Sequence, residues 1–275
     1  MTVLVVGGSG YLGSEVARQA LDQGRPVVAT YRTAPGELPG VDWRPLDVRN
    51  RVAVRELVAA VRPSLVVSSA YLYGDWAVSA DGAASVALAA ADVGARLVHM
   101  SSDAVHSGRP EAYADDEPPT PIFPYGAAKA AAETAVRALN PAAVLVRTSL
   151  IIGDQRSKQE RLCIDLITGR RSGALFIDEI RCPVAVDDLA RAVLELAALD
   201  VAGLVNVAGP DPVTRVELGE LVAVRYGLDP LRVPTGRIAD GGLPRPGRVC
   251  LNSGYAAELL KTRLRGAREV LAARW

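Results

Sequence analysis

The sequence predicts an α/β fold: a doubly wound parallel sheet of Rossmann type with a small C-terminal lobe. Short β-branched apolar runs alternate with alanine-rich stretches, which is typical of strand–helix–strand units. The apolar runs are continuous, which favours strands buried on both faces of a parallel sheet. After residue 208 proline and glycine become frequent, and this composition favours loops framing a binding site over a second sheet.

Strands and helices are predicted in alternation along most of the chain. The predicted strands are 3–6, 26–31, 65–68, 96–100, 143–147 and 204–207. The predicted helices are 11–23, 51–61, 79–93, 125–138 and 189–199. We therefore expect a Rossmann core over 1–148, to which 182–207 returns, and a substrate-binding lobe built from 149–181 and 208–275.

The composition is that of an ordinary globular protein and limits the partners that we expect. Hydrophobic residues make up 49% of the chain, and 31 basic residues balance 31 acidic ones. Without a basic tract, a nucleic-acid partner is not expected. No apolar run approaches the roughly 20 residues that span a bilayer, and the N-terminus lacks a basic region typical of signal peptides. We therefore expect no membrane association and a cytoplasmic location.

Cysteine and histidine are scarce in this chain. Cys163, Cys182 and Cys250 form an odd set without paired spacing, which indicates reduced thiols in a cytosolic protein. His99 and His106 are the only histidines, and no His, Cys and carboxylate residues share metal-ligand spacing. We therefore expect no metal site.

A glycine-rich turn directly follows the first predicted strand and opens the first helix. Gly7, Gly10 and Gly13 give the tight turn, the close approach to a pyrophosphate and the close helix–sheet packing of a dinucleotide site. The helix N-terminus would present unpaired N–H groups to the phosphates. Tyr11 and Leu12 lie within this turn, and we expect them to contact the cofactor as well.

The end of the second strand predicts which dinucleotide binds. An NAD site usually carries an acid about 20 residues after the turn, whereas here Arg32 stands just past the strand. A guanidinium there would bind a 2′-phosphate, which favours NADP(H); the alternative is a solvated loop arginine. Asp47 and Val48 are candidates to meet the adenine edge, although Asp47 also suits the N-cap of helix 51–61.

Tyr125 and Lys129 lie four residues apart on a predicted helix and share one face of it. Lysine occurs at only three positions in this arginine-rich chain, which suggests that an ammonium is needed here. A nearby cation lowers the pKa of a phenol, which could then exchange a proton with a carbonyl or alcohol. Chance spacing on a solvated helix is the alternative. Ser102, which follows a buried strand, could hydrogen-bond the same carbonyl oxygen.

Several further motifs stand in a fixed order along nearly the whole chain. They are 7–13, 101–103, Tyr125-Gly126-x-x-Lys129 with Glu133, 147–149, 187–190, 206–210 and 245–246. In this order they resemble the extended short-chain dehydrogenase/reductase family, and within it the dTDP-4-dehydrorhamnose reductases and related nucleotide-sugar ketoreductases. The order of the motifs is far more specific than any one of them alone.

The resemblance implies a role for each matching residue. Tyr125 would protonate the carbonyl oxygen, Lys129 would lower the tyrosine pKa and hold the nicotinamide ribose, and Ser102 would orient the carbonyl. The residues that would line the cofactor cleft are Ser69, Ala70 and Thr148. The residues that would contact the substrate are Asp103, Ala104, His106, Leu150 and Arg245.

Some positions depart from the family pattern and put the usual sugar in doubt. Ser79 stands where the family has an asparagine that positions the lysine through water. Ala104 and Leu150 stand at positions where aromatic residues contact the sugar in the rhamnose-pathway enzymes, which argues for a different native substrate. His106 is either a new substrate contact or a partly buried loop residue.

Together, these features predict an NADPH-dependent reductase of a nucleotide-activated (dTDP-type) 4-keto-6-deoxy sugar or a similar ketone. Sugar-nucleotide dehydratases carry a glutamate where this chain has Ala104, which disfavours dehydration. Epimerases retain NAD, whereas Arg32 favours NADP(H). Two alternatives stay open: a ketoreductase of a non-sugar natural product, and a non-catalytic NADP-binding regulatory subunit such as the β subunit of methionine adenosyltransferase. The resemblance also implies a homodimer that pairs helices 79–93 and 125–138.

Overall fold

A seven-stranded parallel sheet forms the centre of the protein in a computed structural model that describes residues 1–272. Its strands are β1 (Val3–Val6), β2 (Val27–Tyr31), β3 (Val41–Pro45), β4 (Leu65–Ser68), β5 (Arg96–Met100), β6 (Val144–Thr148) and β7 (Gly203–Val207). They lie in the order β7-β6-β5-β4-β1-β2-β3, and every neighbouring pair is parallel. The predicted doubly wound Rossmann-type sheet is confirmed.

Helices cover both faces of this sheet. They are α1 (Tyr11–Asp22), α2 (Arg51–Val61), α3 (Gly82–Asp92), α4 (Pro124–Leu139) and α6 (Val186–Ala198), with α5 (Lys158–Ile167) between α4 and α6 along the chain. One apolar core lies between the sheet and helices α1 and α6. A second core lies between the sheet and helices α2, α3 and α4. Because both faces are covered, every residue of β1 is buried, as its uninterrupted apolar sequence predicts.

The remaining elements of the described chain lie mainly after the last sheet strand. They are α7 (Arg215–Arg225), α8 (Gly254–Leu259), α9 (Ala267–Ala272) and the short strand pairs 151–152 with 184–185, 180–181 with 213–214, and 175–176 with 235–236. Helices α5, α7 and α9 share a third apolar core, separate from the two cores of the sheet. The division into a core and a substrate-binding lobe at 148/149 stays a prediction.

Strand β3 and helices α5 and α7 are the longest of the elements that were not predicted from the sequence, which also include α8, α9 and the short strand pairs. Strand β3 lies at the sheet edge, so its alternating polar residues and Pro45 break the apolar pattern that marks a buried strand. Helix α5 lies in charged, mixed sequence for which no element was predicted, and α7 lies in the proline- and glycine-rich part of the chain, where loops were expected. Each begins at a capping hydroxyl: Ser157 accepts from the N–H groups of residues 159 and 160, and Thr214 accepts from that of residue 217.

Candidate active site

A cleft with a volume of about 930 Å³ runs along the carboxyl ends of the sheet strands. It joins the glycine-rich turn to the Tyr125 region. The predicted site residues that line it are Gly7, Gly10, Tyr11, Leu12, Gly13, Arg32, Asp47, Val48, Ser69, Ala70, Ser102, Asp103, Ala104, Tyr125, Lys129, Thr148, Leu150 and Arg245. His106 is the predicted site residue that lies outside it.

The glycine turn is shaped by contacts that leave no room for side chains. Gly7 has φ +84°, and a Cβ there would lie 2.8 Å from the backbone nitrogen of Ala70. A Cβ on Gly13 would lie 2.3 Å from the Gly7 carbonyl oxygen. Helix α1 therefore starts tightly against the turn, and its N-cap, Gly10, leaves the first N–H groups without a side-chain partner. This geometry suits an anionic phosphate group.

The rim beyond β2 carries the groups predicted to select the dinucleotide. Arg32 is exposed and lines the cleft. Asp47 accepts from the Arg49 guanidinium at 2.5 and 2.9 Å, and this pairing lowers the pKa of Asp47 to about 2. Asn50, rather than Asp47, caps α2 by accepting from the Ala53 N–H at 3.1 Å, so the N-cap alternative for Asp47 is wrong.

The Thr148 hydroxyl at the end of β6 is buried and has no hydrogen-bond partner among residues 1–272. A buried hydroxyl without a partner is unfavourable, so a polar group entering the cleft would satisfy it. After the end of β4, which neighbours β1, Ser69 Oγ donates to the Val6 carbonyl at 3.0 Å and keeps the wall beside the glycine turn in place. The cleft therefore fits a dinucleotide, with the turn at the phosphates and Thr148 deeper inside.

Tyr125 and Ser102 meet at the centre of the cleft. Ser102 begins a short helical turn after β5, where its hydroxyl donates to Asp103 and accepts from the Ala104 N–H, and both Ser102 and Tyr125 line the cleft. Gly126 allows this meeting, because a Cβ there would lie 2.1 Å from the Ala104 carbonyl oxygen. The first turn of α4 consequently packs directly against the chain that follows β5.

The environment of Tyr125 differs from the one predicted. Its ring centroid lies 4.2 Å from that of Tyr73 and 6.0 Å from that of Tyr71, both on the loop after β4. Burial, together with these two phenols, raises the pKa of Tyr125 well above its ordinary value, which the Ser102 hydrogen bond only partly offsets. The predicted lowering of this pKa by Lys129 is therefore not found.

Lys129 is turned toward the end of β5 instead. It is 3% exposed, and its Nζ donates to the Met100 carbonyl at 2.5 Å. Burial lowers the pKa of Lys129 to about 8, and Glu133 opposes this shift. The ammonium is thus fixed at the wall of the cleft by a backbone carbonyl rather than by the phenol.

Lys129 gives a testable dependence of stability on pH. Its pKa is about 8 in the folded chain against an ordinary 10.5, so the unfolded chain holds more protons between these values. The free energy of unfolding should therefore rise with pH across this window. Urea unfolding at both ends of the window should show this gain in the wild-type protein and not in Lys129→Met. An equal gain in both proteins would contradict the assignment.

A group of charges in the wall of the cleft joins the predicted Asp103 and Arg245 to Glu179 and Arg181, which the sequence did not single out. Asp103 accepts from Ser149 Oγ at 2.8 Å, and burial raises its pKa. Arg181 lies 3.8 Å from Asp103 and 3.5 Å from Glu179, and it donates to the carbonyls of residues 246 and 247. Arg181 thereby holds the loop that carries Arg245, which itself lies 3.9 Å from Glu179.

His106 requires a correction. It is fully buried, and its ring stacks on Tyr113 with a centroid distance of 3.8 Å. Burial, followed by the charge of Arg147, lowers its pKa to about 4. Because it lies in the packed interior outside the cleft, the predicted substrate contact is wrong and His106 is a core residue.

Comparison with known proteins agrees with this geometry. Residues 1–273 match the family described as the RmlD substrate binding domain. The chain belongs to this family. The resemblance predicted from the ordered motifs is confirmed at the level of the family.

Several known proteins align with most of the length of this chain. A probable low-salt glycan biosynthesis reductase of Haloferax volcanii is 30% identical, with 92% of this chain and 90% of the relative aligned. A dTDP-4-keto-6-deoxy-D-glucose reductase of Streptomyces niveus is 30% identical over 87% of this chain and 85% of its own. The crystal structure of dTDP-4-dehydrorhamnose reductase from Bacillus anthracis in complex with NADP has a TM-score of 0.84 at 24% identity, covering 98% of this chain and 97% of its own.

Some residues that line the cleft of this protein were not predicted from its sequence. They are Tyr71, Tyr73, Phe123, Lys158, Gln159, Glu179 and Arg181. Tyr71 and Tyr73 follow β4 closely, so their place after a strand end was an available signal. Phe123 directly precedes α4, and the others come from the irregular second half of the chain, where no local pattern indicates which side chains face the sheet. Within residues 1–272 no cluster of His, Cys, Asp and Glu could hold a metal ion, and no helix is long and apolar enough to cross a membrane.

Proposed function

We propose that this protein is an NADPH-dependent reductase that transfers hydride to the keto group of a nucleotide-activated, dTDP-type 4-keto-6-deoxy sugar or a similar ketone. One observation carries the proposal: Ser102, Tyr125 and Lys129 line the same cleft as the glycine turn. The relative from Streptomyces niveus, which is named for a reductase of this substrate class, supports it.

Tyr125 is the proposed proton donor. The nicotinamide cofactor supplies the hydride when bound. Because burial raises its pKa, the Tyr125 phenol keeps its proton at neutral pH, which suits reduction, where the carbonyl oxygen gains a proton. Ser102, which donates to Asp103 in this structure, would turn its hydroxyl to the same oxygen and orient the carbonyl. Lys129, held by the Met100 carbonyl at the wall of the cleft, would hold the nicotinamide ribose.

The residues proposed to hold the cofactor follow the cleft from the rim inward. Arg32 would bind the 2′-phosphate, while Asp47 and Val48 would border the adenine. The glycine turn would receive the pyrophosphate through the N–H groups at the start of α1. Ser69, Ala70 and Thr148 would surround the nicotinamide end, where the Thr148 hydroxyl would gain a partner.

Reduction fits this site better than dehydration. Elimination needs an acid and a base beside the substrate, yet Ala104 offers only a methyl group. The neighbouring Asp103 accepts from Ser102 and Ser149, so both of its oxygens are already hydrogen-bonded. We propose that Asp103, Ala104, Leu150 and Arg245 border the substrate. The lobe of 149–181 and 208–275, a cytoplasmic location and a homodimer formed through α3 and α4 also stay proposals.

The direct test mixes the purified protein with NADPH and a dTDP-4-keto-6-deoxyhexose and follows the loss of NADPH absorbance. Turnover of the keto sugar would support the proposal. Tight NADPH binding without turnover across a panel of keto sugars would instead support the regulatory-subunit alternative. Turnover of non-sugar ketones alone would support the natural-product alternative.

Arg32→Ala should weaken NADPH binding about 10- to 100-fold while changing NADH binding little. The reason is the loss of one charge-assisted contact with the 2′-phosphate, which NADH lacks. Fluorescence titration of both cofactors measures the difference. Arg44→Ala is a matched control, because Arg44 is an exposed arginine on the neighbouring edge strand, paired with Asp42. Equal losses for NADPH and NADH would remove the 2′-phosphate assignment.

A further inference from the structure

Tyr73 covers Tyr125, the proposed proton donor, and also faces solvent. Its ring centroid lies 4.2 Å from that of Tyr125, yet Tyr73 is 58% exposed. Tyr71 lies edge-on to Tyr73 at 5.6 Å and is 39% exposed, with Lys158 donating to its hydroxyl at 3.3 Å. Because both tyrosines face solvent, their place over Tyr125 depends on the backbone that carries them.

Ser79 fastens this backbone at the residue between the two tyrosines. Ser79 is 1% exposed, and its Oγ donates to the Leu72 carbonyl at 3.0 Å. The same Oγ accepts from the Leu72 N–H at 3.2 Å, so one buried hydroxyl binds both backbone groups of one residue. These two hydrogen bonds form a clamp between Ser79 and Leu72. Removing the hydroxyl would take a partner from each backbone group, which is unfavourable.

The clamp closes a turn that leads from the aromatic residues into the core. The Asp75 N–H also donates to the Leu72 carbonyl at 3.2 Å, and Gly74, with φ +77°, allows the chain to reverse there. Ser79 stands in a single π-helical turn, Ala77–Asp81, which continues directly into α3. Helix α3 is packed in the second apolar core. The clamp therefore ties an exposed segment to a rigid element.

This turn is not packed directly on the helix that carries Tyr125. A small pocket of about 70 Å³ lies between them, with Leu72 and Ser79 on one side and Tyr125 and Ala128 on the other. Side chains across such a gap make few of the dispersion contacts that close packing would give. The position of the turn relative to α4 consequently depends on the clamp more than on contact with α4.

The Tyr125 phenol responds to the groups that surround it. Burial raises its pKa well above the ordinary value, and the neighbouring phenols and the Asp103 carboxyl act in the same direction. The titratable groups around the phenol come from the loop after β4, the turn after β5 and α4: they are Tyr71, Tyr73, Asp75, Asp103 and Lys129. The first three belong to the segment that Ser79 holds. Releasing that segment would admit water and lower the pKa of Tyr125 toward its ordinary value.

We propose that Ser79 is a positioning residue for the reaction: it holds Tyr71 and Tyr73 over Tyr125 and thereby keeps water away from the proton donor. The proposal rests on the function proposed above, in which Tyr125 donates the proton. Ser79 does not line the cleft, so it acts through Leu72 rather than on the substrate or cofactor. The family's asparagine at this position holds the lysine, whereas Ser79 holds the loop.

Nitration by tetranitromethane at mildly alkaline pH, mapped by mass spectrometry, tests the clamp without any substrate. The reagent attacks phenolates, so the nitration rate of each tyrosine follows its phenolate fraction. Ser79→Ala should nitrate Tyr125 about 10-fold faster than the wild-type protein, because a pKa lower by about one unit gives a tenfold larger phenolate fraction. Ser79→Thr keeps the hydroxyl and should restore the wild-type rate.

Ser85→Ala is the matched control for Ser79→Ala. Ser85 is also buried, and its Oγ donates to a backbone carbonyl, that of Asp81, at 2.9 Å, but it lies outside the turn. Equal acceleration of Tyr125 nitration in both variants would indicate general loosening and overturn the proposal, as would a wild-type rate in Ser79→Ala. If Ser79→Ala does not fold by urea unfolding, Tyr73→Ala removes the cover itself from the surface. No acceleration of Tyr125 nitration in Tyr73→Ala would then overturn the proposal.

The pH profile of keto-sugar reduction tests the same role in the reaction. Tyr125 must be protonated to act as an acid, so a lower pKa makes kcat/KM fall earlier as the pH rises. The alkaline limb of the profile should move to lower pH by about one unit in Ser79→Ala, while Ser79→Thr and Ser85→Ala keep the wild-type profile. At neutral pH, Ser79→Ala should keep kcat/KM within about threefold of the wild-type value, because the phenol is still protonated.

The two measurements separate failure of the clamp from failure of the proposed reaction. If no keto sugar is reduced but nitration of Tyr125 depends on Ser79, the clamp stands and the reaction assignment falls. If keto sugars are reduced and Ser79→Ala changes neither the nitration rate nor the alkaline limb, the reaction stands and the positioning role is overturned.

Discussion

Replacing Tyr125 with phenylalanine should lower the rate of keto-sugar reduction by about 10²- to 10⁴-fold while leaving NADPH affinity nearly intact. General acid catalysis by a positioned side chain contributes a factor of this size, and phenylalanine removes only the hydroxyl. The ring packing against Tyr73 and Tyr71 is kept, so the wall of the cleft should hold its shape. Steady-state kinetics and an NADPH titration of the same preparation measure the two effects.

Tyr73→Phe is the informative comparison for this prediction. The Tyr73 ring lies 4.2 Å from that of Tyr125, tilted by 41°, and Tyr73 also lines the cleft, so its hydroxyl is a rival as the proton donor. A larger loss of kcat in Tyr73→Phe than in Tyr125→Phe would move the proton donor to Tyr73. Full activity of Tyr125→Phe would remove Tyr125 from the mechanism.

Glu133→Ala should lower the free energy of unfolding by about 3–5 kcal/mol, because it leaves a fully buried arginine without its acid. Glu133 pairs with Arg147 at 2.8 Å and accepts from Ser101 Oγ at 2.6 Å. Arg147 also donates to the carbonyls of residues 115 and 117, so the loop before α4 depends on this pair. Activity should fall too, since Glu133 lies one turn beyond Lys129 on α4. Urea unfolding measures the loss of stability.

The control for Glu133 is an exposed ion pair. Arg263 and Glu269 lie 2.6 Å apart with side chains 75% and 43% exposed, so Glu269→Ala should cost less than about 1 kcal/mol. The double change Glu133→Leu with Arg147→Met should recover much of the stability lost in Glu133→Ala, because it removes the buried charge altogether. Similar losses of unfolding free energy in Glu133→Ala and Glu269→Ala would show that the buried ion pair stabilises the fold no more than the exposed one.

Sequence alone located the sheet and the residues that follow its strands. Gly7, Ser102 and Thr148 each stand just after an apolar run, and parallel strands bring such positions to one edge. The spacing of Tyr125 and Lys129 placed both on one helix face, and both line the cleft. These predictions succeeded because each depends on local pattern and on one rule of topology.

The features that were missed depend on contacts between distant parts of the chain. The pKa of Tyr125 is raised by burial against the loop after β4, and helix spacing contains no information about that loop. His106 stands in the motif region after β5, yet its ring packs inward on Tyr113. Gln159 lines the cleft on helix α5, which the third apolar core holds, and Arg181 lines it on a short strand that pairs with residues 213–214. None of these contacts leaves a periodic signal in the sequence.

Gly126 sets a limit on how this site could be redesigned. Ala104 and Leu150 line the cleft with small or flexible side chains, so substitutions there can reshape the pocket without moving the backbone. Any side chain at position 126 would instead collide with a backbone carbonyl at 2.1 Å and push the first turn of α4 away from Ser102. Substrate range is therefore open to engineering at positions 104 and 150. The separation between Tyr125 and Ser102 depends instead on the absence of a side chain at Gly126.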